Sequence, residues 1–270
     1  KYGGQEHSYI DLYIFLDELH RSYASFGVVD VVTTTTLYNG ECILRWGTEE
    51  QKQSWLPRMA RGEMTCTIAM TEPEAGSDLA SIQFRAVEDG DYFILNGTKL
   101  FNNAVHTNHI FTAVRTSTEG SKSRGLSIIM VDSSSPGITI RPAYMTIGGT
   151  ARAEVAYEDV KVPKRNLLGE KNRGLSYLVQ SMIFERFQHT FSGKMEHELD
   201  SLVNLTKKIR FQGQLLSEMP AVRKMLANIA IRIQVMRLLG CRGFWLWDRG
   251  EVGVDGTIPM RFVCGPILTI

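Results

Sequence analysis

The strongest constraint in this 270-residue sequence is a hydrophobic period that changes twice along the chain. From Ser8 to Ser25 the apolar residues Leu12, Phe15, Leu16, Leu19 and Tyr23 recur at three- and four-residue steps, the pattern of a helix with one buried face. Val29 to Leu44 is rich in Thr and Val but lacks alternation. Thr48 followed by Gln51 forms a capping box, which opens a helix running to about Met59. Positions 1–63 are therefore expected to be helical.

At Met64 the texture becomes a series of short β-rich runs: Thr65 to Met70, Ile82 to Val87, Tyr92 to Leu95, His109 to Arg115, Leu126 to Val131, Ile138 to Pro142 and Glu154 to Val162. Asp89-Gly90, Asn96-Gly97, Glu119-Gly120 and Pro136-Gly137 are turn signals between them. Strands at this spacing predict a compact antiparallel barrel or sandwich over positions 64–165.

Beyond Gly169 the helical period returns, from Gly174 to about Arg210 and again from Pro220 to about Asp248. Val222, Leu226, Ile229, Ile233 and Met236 step by four, three, four and three, which suits the seam of a helix bundle. Positions 166–270 are thus expected to form an antiparallel helical bundle, making the whole an α+β chain.

Composition excludes several functions. Thirty Lys and Arg against 29 Asp and Glu give a net charge of +1, without the basic surplus expected of a nucleic-acid binder. The longest apolar stretches fall short of the ~20 residues a membrane-spanning helix needs. Cys42, Cys66, Cys241 and Cys264 are far apart and form no metal-binding pair, so reduced thiols in a cytosolic or similar reducing compartment are expected. His106, His109 and His189 have no partner at metal-ligand spacing, and neither a G-x-S-x-G elbow nor a phosphate-binding P-loop occurs.

The most informative run is Met70-Thr-Glu-Pro-Glu-Ala-Gly-Ser-Asp78, a loop that follows a strand broken by Pro73 and Gly76. Thr71 and Ser77 bring hydroxyls, and Gly76 permits close approach to the backbone. Exposed amides there are able to hydrogen-bond an electron-rich ring or a carbonyl, although Gly-Ser-Asp is equally ordinary turn chemistry.

This run resembles the T-E-P-G-A-G-S-D segment of the acyl-CoA dehydrogenase family, with Glu74 in place of the glycine. Further segments follow in the family's order: Tyr92 to Lys99, Pro136-Gly137-Ile138, Tyr157 to Pro163, Leu168-Gly169-Glu170, Gly174 and Glu185-Arg186. The resemblance implies an N-terminal helical domain, a middle antiparallel β-barrel and a C-terminal helical bundle. Members are usually longer, so it also implies that the first helices and the end of the bundle are not in this sequence.

The resemblance further implies bound FAD. Met70 and Thr71 match contacts to the flavin ring, through backbone amides and the Thr71 hydroxyl, while Gly76 and Ser77 match positions near the pyrophosphate or the thioester substrate. The family's W-I-T-like flavin contact is replaced by Phe101-Asn102-Asn103, where Phe101 is able to shield a flavin face and Asn103 to donate toward a ring nitrogen. The other reading of Phe101 is a core residue of the barrel followed by a turn. Arg210 is the candidate for a contact to the FAD of a neighbouring subunit, within a motif whose basic residues are displaced.

Dehydrogenation beside a thioester needs a carboxylate to remove the α-proton as the β-hydride leaves for flavin N5. Most members place that base in the C-terminal region missing here. An isovaleryl- and long-chain-type minority place it in the segment matching Phe184-Glu-Arg-Phe187, which makes Glu185 the candidate base and Arg186 a contact to the CoA portion. The plainer alternative is a solvated Glu-Arg pair on a helix surface. The implied partners are an acyl-CoA, an electron-transferring flavoprotein as acceptor and further subunits of a homo- or hetero-oligomer, with a mitochondrial matrix location if the source is eukaryotic. The competing readings are an oxidase or monooxygenase of the same fold and a non-catalytic partner subunit.

Overall fold

The computed structural model describes residues 1–22, 26–146, 152–187 and 192–251. The chain divides into two compact units: Lys1–Gln5 with Phe26–Phe184, and Glu6–Ser25 with Glu185–Ile270. Among the described residues, no helix is long and apolar enough to cross a membrane.

The first unit begins with α2 (Phe26–Thr33), a π-helical stretch (Thr34–Gly40), α3 (Glu41–Trp46) and α4 (Glu49–Ala60), while α1 (Tyr9–Arg21) belongs to the other unit. The capping box expected at Thr48 is formed: the Gln51 amide donates to Thr48 Oγ1 at 3.2 Å, and the Thr48 amide donates to Gln51 Oε1 at 3.0 Å. The Gln51 carboxamide also donates to the carbonyls of Arg165 and Leu167 at 2.7 and 2.8 Å, which ties α4 to a distant loop.

The strands are β1 (Cys66–Ala69), β2 (Arg85–Asp89), β3 (Tyr92–Asn102), β4 (His109–Arg115), β5 (Leu126–Asp132), β6 (Ile138–Ala143), β7 (Arg152–Pro163) and β8 (Leu167–Leu168). They form one eight-stranded sheet in the order β6-β7-β3-β2-β4-β5-β8, with β1 on β4. The expected antiparallel barrel is corrected here. β1 and β2 both pair with β4 in parallel, so the sheet is mixed, and its strand path runs open from β6 to β8. Turn signals report hairpins between neighbours in sequence; they carry nothing about β1, which pairs with a strand beginning at His109.

Asn96-Gly97 is not a turn. It lies inside β3 at a register shift against β7, and Gly97 has φ +141°. A Cβ there would press into the Phe84 ring, so this position needs glycine. β4 and β5 are buried almost throughout, with Ile110, Phe111, Val114, Ile128, Ile129 and Val131 in the core.

The second unit contains α1 (Tyr9–Arg21), the end of α5 (Gly174–Phe187), α6 (Gly193–Thr206), a two-residue hairpin of β9 (Arg210–Phe211) with β10 (Gln214–Leu215), and α7 (Pro220–Asp248). The helical run expected from Gly174 to Arg210 is therefore two helices. Tyr13 packs on Phe244 and Tyr9 stacks on Trp247, with ring centres 5.1 and 4.5 Å apart. Asp248 accepts the first amides of α1, from Tyr9 at 2.7 Å and Ile10 at 3.3 Å. The buried Asp17 carboxylate takes the amides of Ser192 and Gly193 at 2.5 and 2.9 Å, an acid at a helix N-terminus. A Cβ on Gly193 would collide with the Asp17 carbonyl. On the expected α7 stripe, Ile233 and Met236 are buried and Val222, Leu226 and Ile229 half-buried.

Candidate functional site

The loop after β1 is held by one buried ion pair. Lys99, fully buried on β3, donates from Nζ to the Glu72 carboxylate at 2.7 Å and to the Met70 carbonyl at 3.0 Å. Glu72, 8% exposed, also accepts the amides of Gln83 at 2.8 Å and Phe84 at 3.1 Å. The ammonium lies 5.1 Å from the centre of the Phe84 ring. Burial lowers the Lys99 pKa to about 8, the charge of Glu72 and its hydrogen bond opposing the shift.

Backbone bonds between Glu72 and Ala75, at 2.9 and 3.3 Å, close a small turn whose tip is Pro73-Glu74. Glu74 is exposed and is not among the residues with positive φ, so glycine's conformational freedom is not required there. Gly76 and Ser77 follow, both exposed, and a Cβ on Gly76 would meet nothing within 4 Å.

Met70 and Thr71 are half-buried. The Tyr38 hydroxyl lies 3.9 Å from Met70 Sδ and accepts from Ser181 Oγ at 2.9 Å. The Thr71 carbonyl accepts from the Leu100 amide at 2.8 Å, which lays the loop against the end of β3. Among the described residues, no hydrogen bond engages the Thr71 amide or hydroxyl.

Phe101 stands next along β3 in a left-handed backbone conformation, φ +59°, at a second register shift. The residue is 66% exposed, so its core reading is overturned. A bulky residue at positive φ is a strained arrangement that turns the side chain out of the strand's alternation. Asn102 and Asn103 are buried behind it. The Asn103 amide donates to Thr67 Oγ1 at 3.1 Å, and its carboxamide nitrogen donates to Asp30, which also pairs with Arg152 at 3.0 Å. Asn103 Oδ1 and Asn102 Nδ2 are buried with no hydrogen-bond partner among the described residues.

Met70, Thr71, Phe101 and Asn103 therefore share one edge, where the ends of β1 and β3 run side by side, and Gly76 and Ser77 continue the same loop. Arg210 lies in the other unit, where its guanidinium donates to the Gly213 carbonyl at 2.8 Å. Glu185 and Arg186 occupy the last turn of α5, and their side chains lie outside the described residues, as does His189. His106 bonds through its amide to the Asn103 carbonyl at 3.0 Å; His109 is buried, and burial lowers its pKa.

Lys99, Glu72, Asp30 and Arg152 were not legible as parts of this edge. One signal existed: Phe93, Leu95 and Lys99 fall on the same inward period of two, so Lys99 counts as an inside position of the strand.

Comparisons with known proteins agree along the chain. Residues 67–160 match the model of the acyl-CoA dehydrogenase middle domain, residues 1–63 that of the N-terminal domain and residues 172–261 that of the C-terminal domain. The crystal structure of an acyl-CoA dehydrogenase from Geobacillus kaustophilus is similar over 99% of this chain and 72% of that one, at 32% identity and a TM-score of 0.88. The acyl-CoA dehydrogenase FadE26 of Mycobacterium tuberculosis is 35% identical over 190 residues, covering 69% of this chain and 46% of that protein. The human mitochondrial short-chain specific acyl-CoA dehydrogenase is 29% identical over 91% of this chain and 60% of its own length.

The chain belongs to the acyl-CoA dehydrogenase family. It spans about half the length of the mycobacterial relatives, 46% of FadE26 and 47% of FadE29.

Proposed function

We propose that the protein carrying this chain is an FAD-dependent acyl-CoA dehydrogenase that introduces a double bond between the α and β carbons of an acyl-CoA thioester. The observation that carries this reading is the edge at Thr71, Asn102 and Asn103. Among the described residues the Thr71 amide and hydroxyl, the buried acceptor Asn103 Oδ1 and the buried donor Asn102 Nδ2 have no hydrogen-bond partner. Buried polar groups are normally paired, so such a set suits a ligand whose rim alternates donors and acceptors, as an isoalloxazine does.

In this reading Met70 and Thr71 hold the ring through the backbone and the Thr71 hydroxyl, Phe101 covers a ring face, and Asn103 offers Oδ1 as an acceptor. Gly76 and Ser77 lie toward the pyrophosphate or the thioester. Arg210 reaches the FAD of a neighbouring subunit in an oligomer. FAD supplies the hydride acceptor. Glu185 removes the α-proton, a task that requires a dry setting to raise its pKa, and Arg186 binds the CoA portion. Holding base and acceptor on opposite faces of the Cα–Cβ bond lets the arrangement supply much of the rate. An electron-transferring flavoprotein would be the electron acceptor. The division into domains over 1–63, 64–165 and 166–270 belongs to the same reading.

The test is the visible spectrum of the purified full-length protein before and after anaerobic addition of a panel of acyl-CoA thioesters. A flavin band that bleaches is the expected result. Absence of a band would favour a non-catalytic partner subunit, and hydrogen peroxide release in air would move the protein to the oxidases of this fold.

A further inference from the structure

We propose that Lys99 is the positioning residue that aims the Thr71 amide at the flavin ring, an inference that rests on the reading of Met70 and Thr71 as flavin contacts. The Met70 carbonyl and the Thr71 N–H belong to one peptide unit, and the chain has no cis peptide bond among its described residues. In a trans peptide the carbonyl and the N–H point in opposite directions. Lys99 Nζ draws the Met70 carbonyl inward at 3.0 Å, so the Thr71 N–H faces the other way, and there it has no acceptor among the described residues.

The grip is itself fixed. Lys99 is fully buried, and Glu72 holds its ammonium at 2.7 Å while the amides of Gln83 and Phe84 hold Glu72 at 2.8 and 3.1 Å. On the next residue, the Leu100 amide takes the Thr71 carbonyl at 2.8 Å. Two successive carbonyls, those of Met70 and Thr71, are therefore anchored by two successive residues of β3, and the peptide plane between Met70 and Thr71 cannot rotate without breaking a bond in a dry interior. Apolar side chains would fill such an interior at no cost in desolvated charge. What a lysine adds is a donor that reaches one particular carbonyl.

The test uses the full-length protein and compares Lys99→Met/Glu72→Gln, which removes the grip without leaving a lone buried charge, with Thr71→Val. Three quantities are read: the FAD dissociation constant, the position and fine structure of the bound flavin band, and the melting temperature without FAD. The expected result for the double variant is an apoprotein that melts like the wild type, binds FAD at least tenfold more weakly and shows a shifted band. A merely structural pair would change the melting temperature and leave the band in place, and that outcome overturns the proposal. If Thr71→Val shifts the band while the double variant does not, the loop contacts the flavin and Lys99 does not aim it. If neither variant shifts the band, the reading of the loop fails and the proposal falls with it. Should the double variant not fold, Glu72→Gln alone decides. There the lysine loses its counter-charge, so weaker FAD binding with a shifted band supports the proposal, and unchanged binding and spectrum overturn it.

Discussion

Asn103 gives its carboxamide N–H to the half-buried carboxylate of Asp30, so the polar atom it keeps uncommitted is an acceptor. This reverses the chemistry expected of the residue from sequence, where it stood as a donor to a ring nitrogen. The orientation is dictated by charge: turned over, Oδ1 would face a carboxylate already engaged by Arg152.

Asn103→Asp places a second carboxylate against Asp30. One of the two then ionises only at raised pH, because adjacent like charges away from bulk water disfavour each other. The folded state holds its proton more tightly than the unfolded state, so the variant loses stability as pH rises above the ordinary carboxylate range. The expected deficit is about 3 kcal/mol at neutral pH, shrinking toward about pH 4. Urea denaturation at both pH values measures it, and a deficit independent of pH would contradict the geometry.

Burial lowers the Lys99 pKa from 10.5 to about 8. Between these values the unfolded chain binds more protons than the folded one, so Lys99 makes stability rise with pH across that window. The buried thiols of Cys42 and Cys66 and the phenol of Tyr157, all raised by burial, act in the opposite sense. They are common to the wild type and to Lys99→Met/Glu72→Gln, so the difference between the two proteins isolates the lysine. Relative to the variant, the wild type should gain up to about 3 kcal/mol over this range. Parallel stability curves would show that Lys99 does not titrate there.

Asp17→Ala strands the amides of Ser192 and Gly193 at the start of α6. Two buried donors without acceptors should cost about 2–4 kcal/mol. Hydrogen exchange at these two amides reads the effect locally: faster exchange there, with the sheet of the other unit unchanged, is the expected pattern.

If Glu185 is the base, as proposed, Glu185→Gln removes it while keeping the side chain's size, and should abolish turnover while leaving FAD bound. Rapid-mixing absorbance with an acyl-CoA would show an oxidised flavin that is not reduced. Retained reduction would assign the base elsewhere.

Local chemistry was the legible part of the fold. The capping box of Thr48 and Gln51 and the runs that became β4 and β5 are written in neighbouring residues, so a pattern of a few positions suffices. The pairing of β1 with β4 was not, because it joins segments whose intervening residues form a hairpin of their own. Asn96-Gly97 carries the same letters as a hairpin turn, and what sets it inside a strand is its pairing with β7 and the Phe84 ring against Gly97, both distant in sequence. At the candidate site the loop from Met70 to Ser77 stood out by its composition. The Lys99 grip did not: strand alternation places Lys99 inside, but nothing local names its partner Glu72, 27 positions away.

The bond between Asp17 and Ser192 joins residues 175 positions apart. A ribosome adds about 5–20 residues per second, so α1 waits on the order of 10–35 s after its own synthesis before the start of α6 exists. Through that interval Tyr13 and Leu16 have no finished surface to cover them. Helix α1 therefore stays uncovered until the start of α6 has been made, and slowing translation would lengthen that exposure.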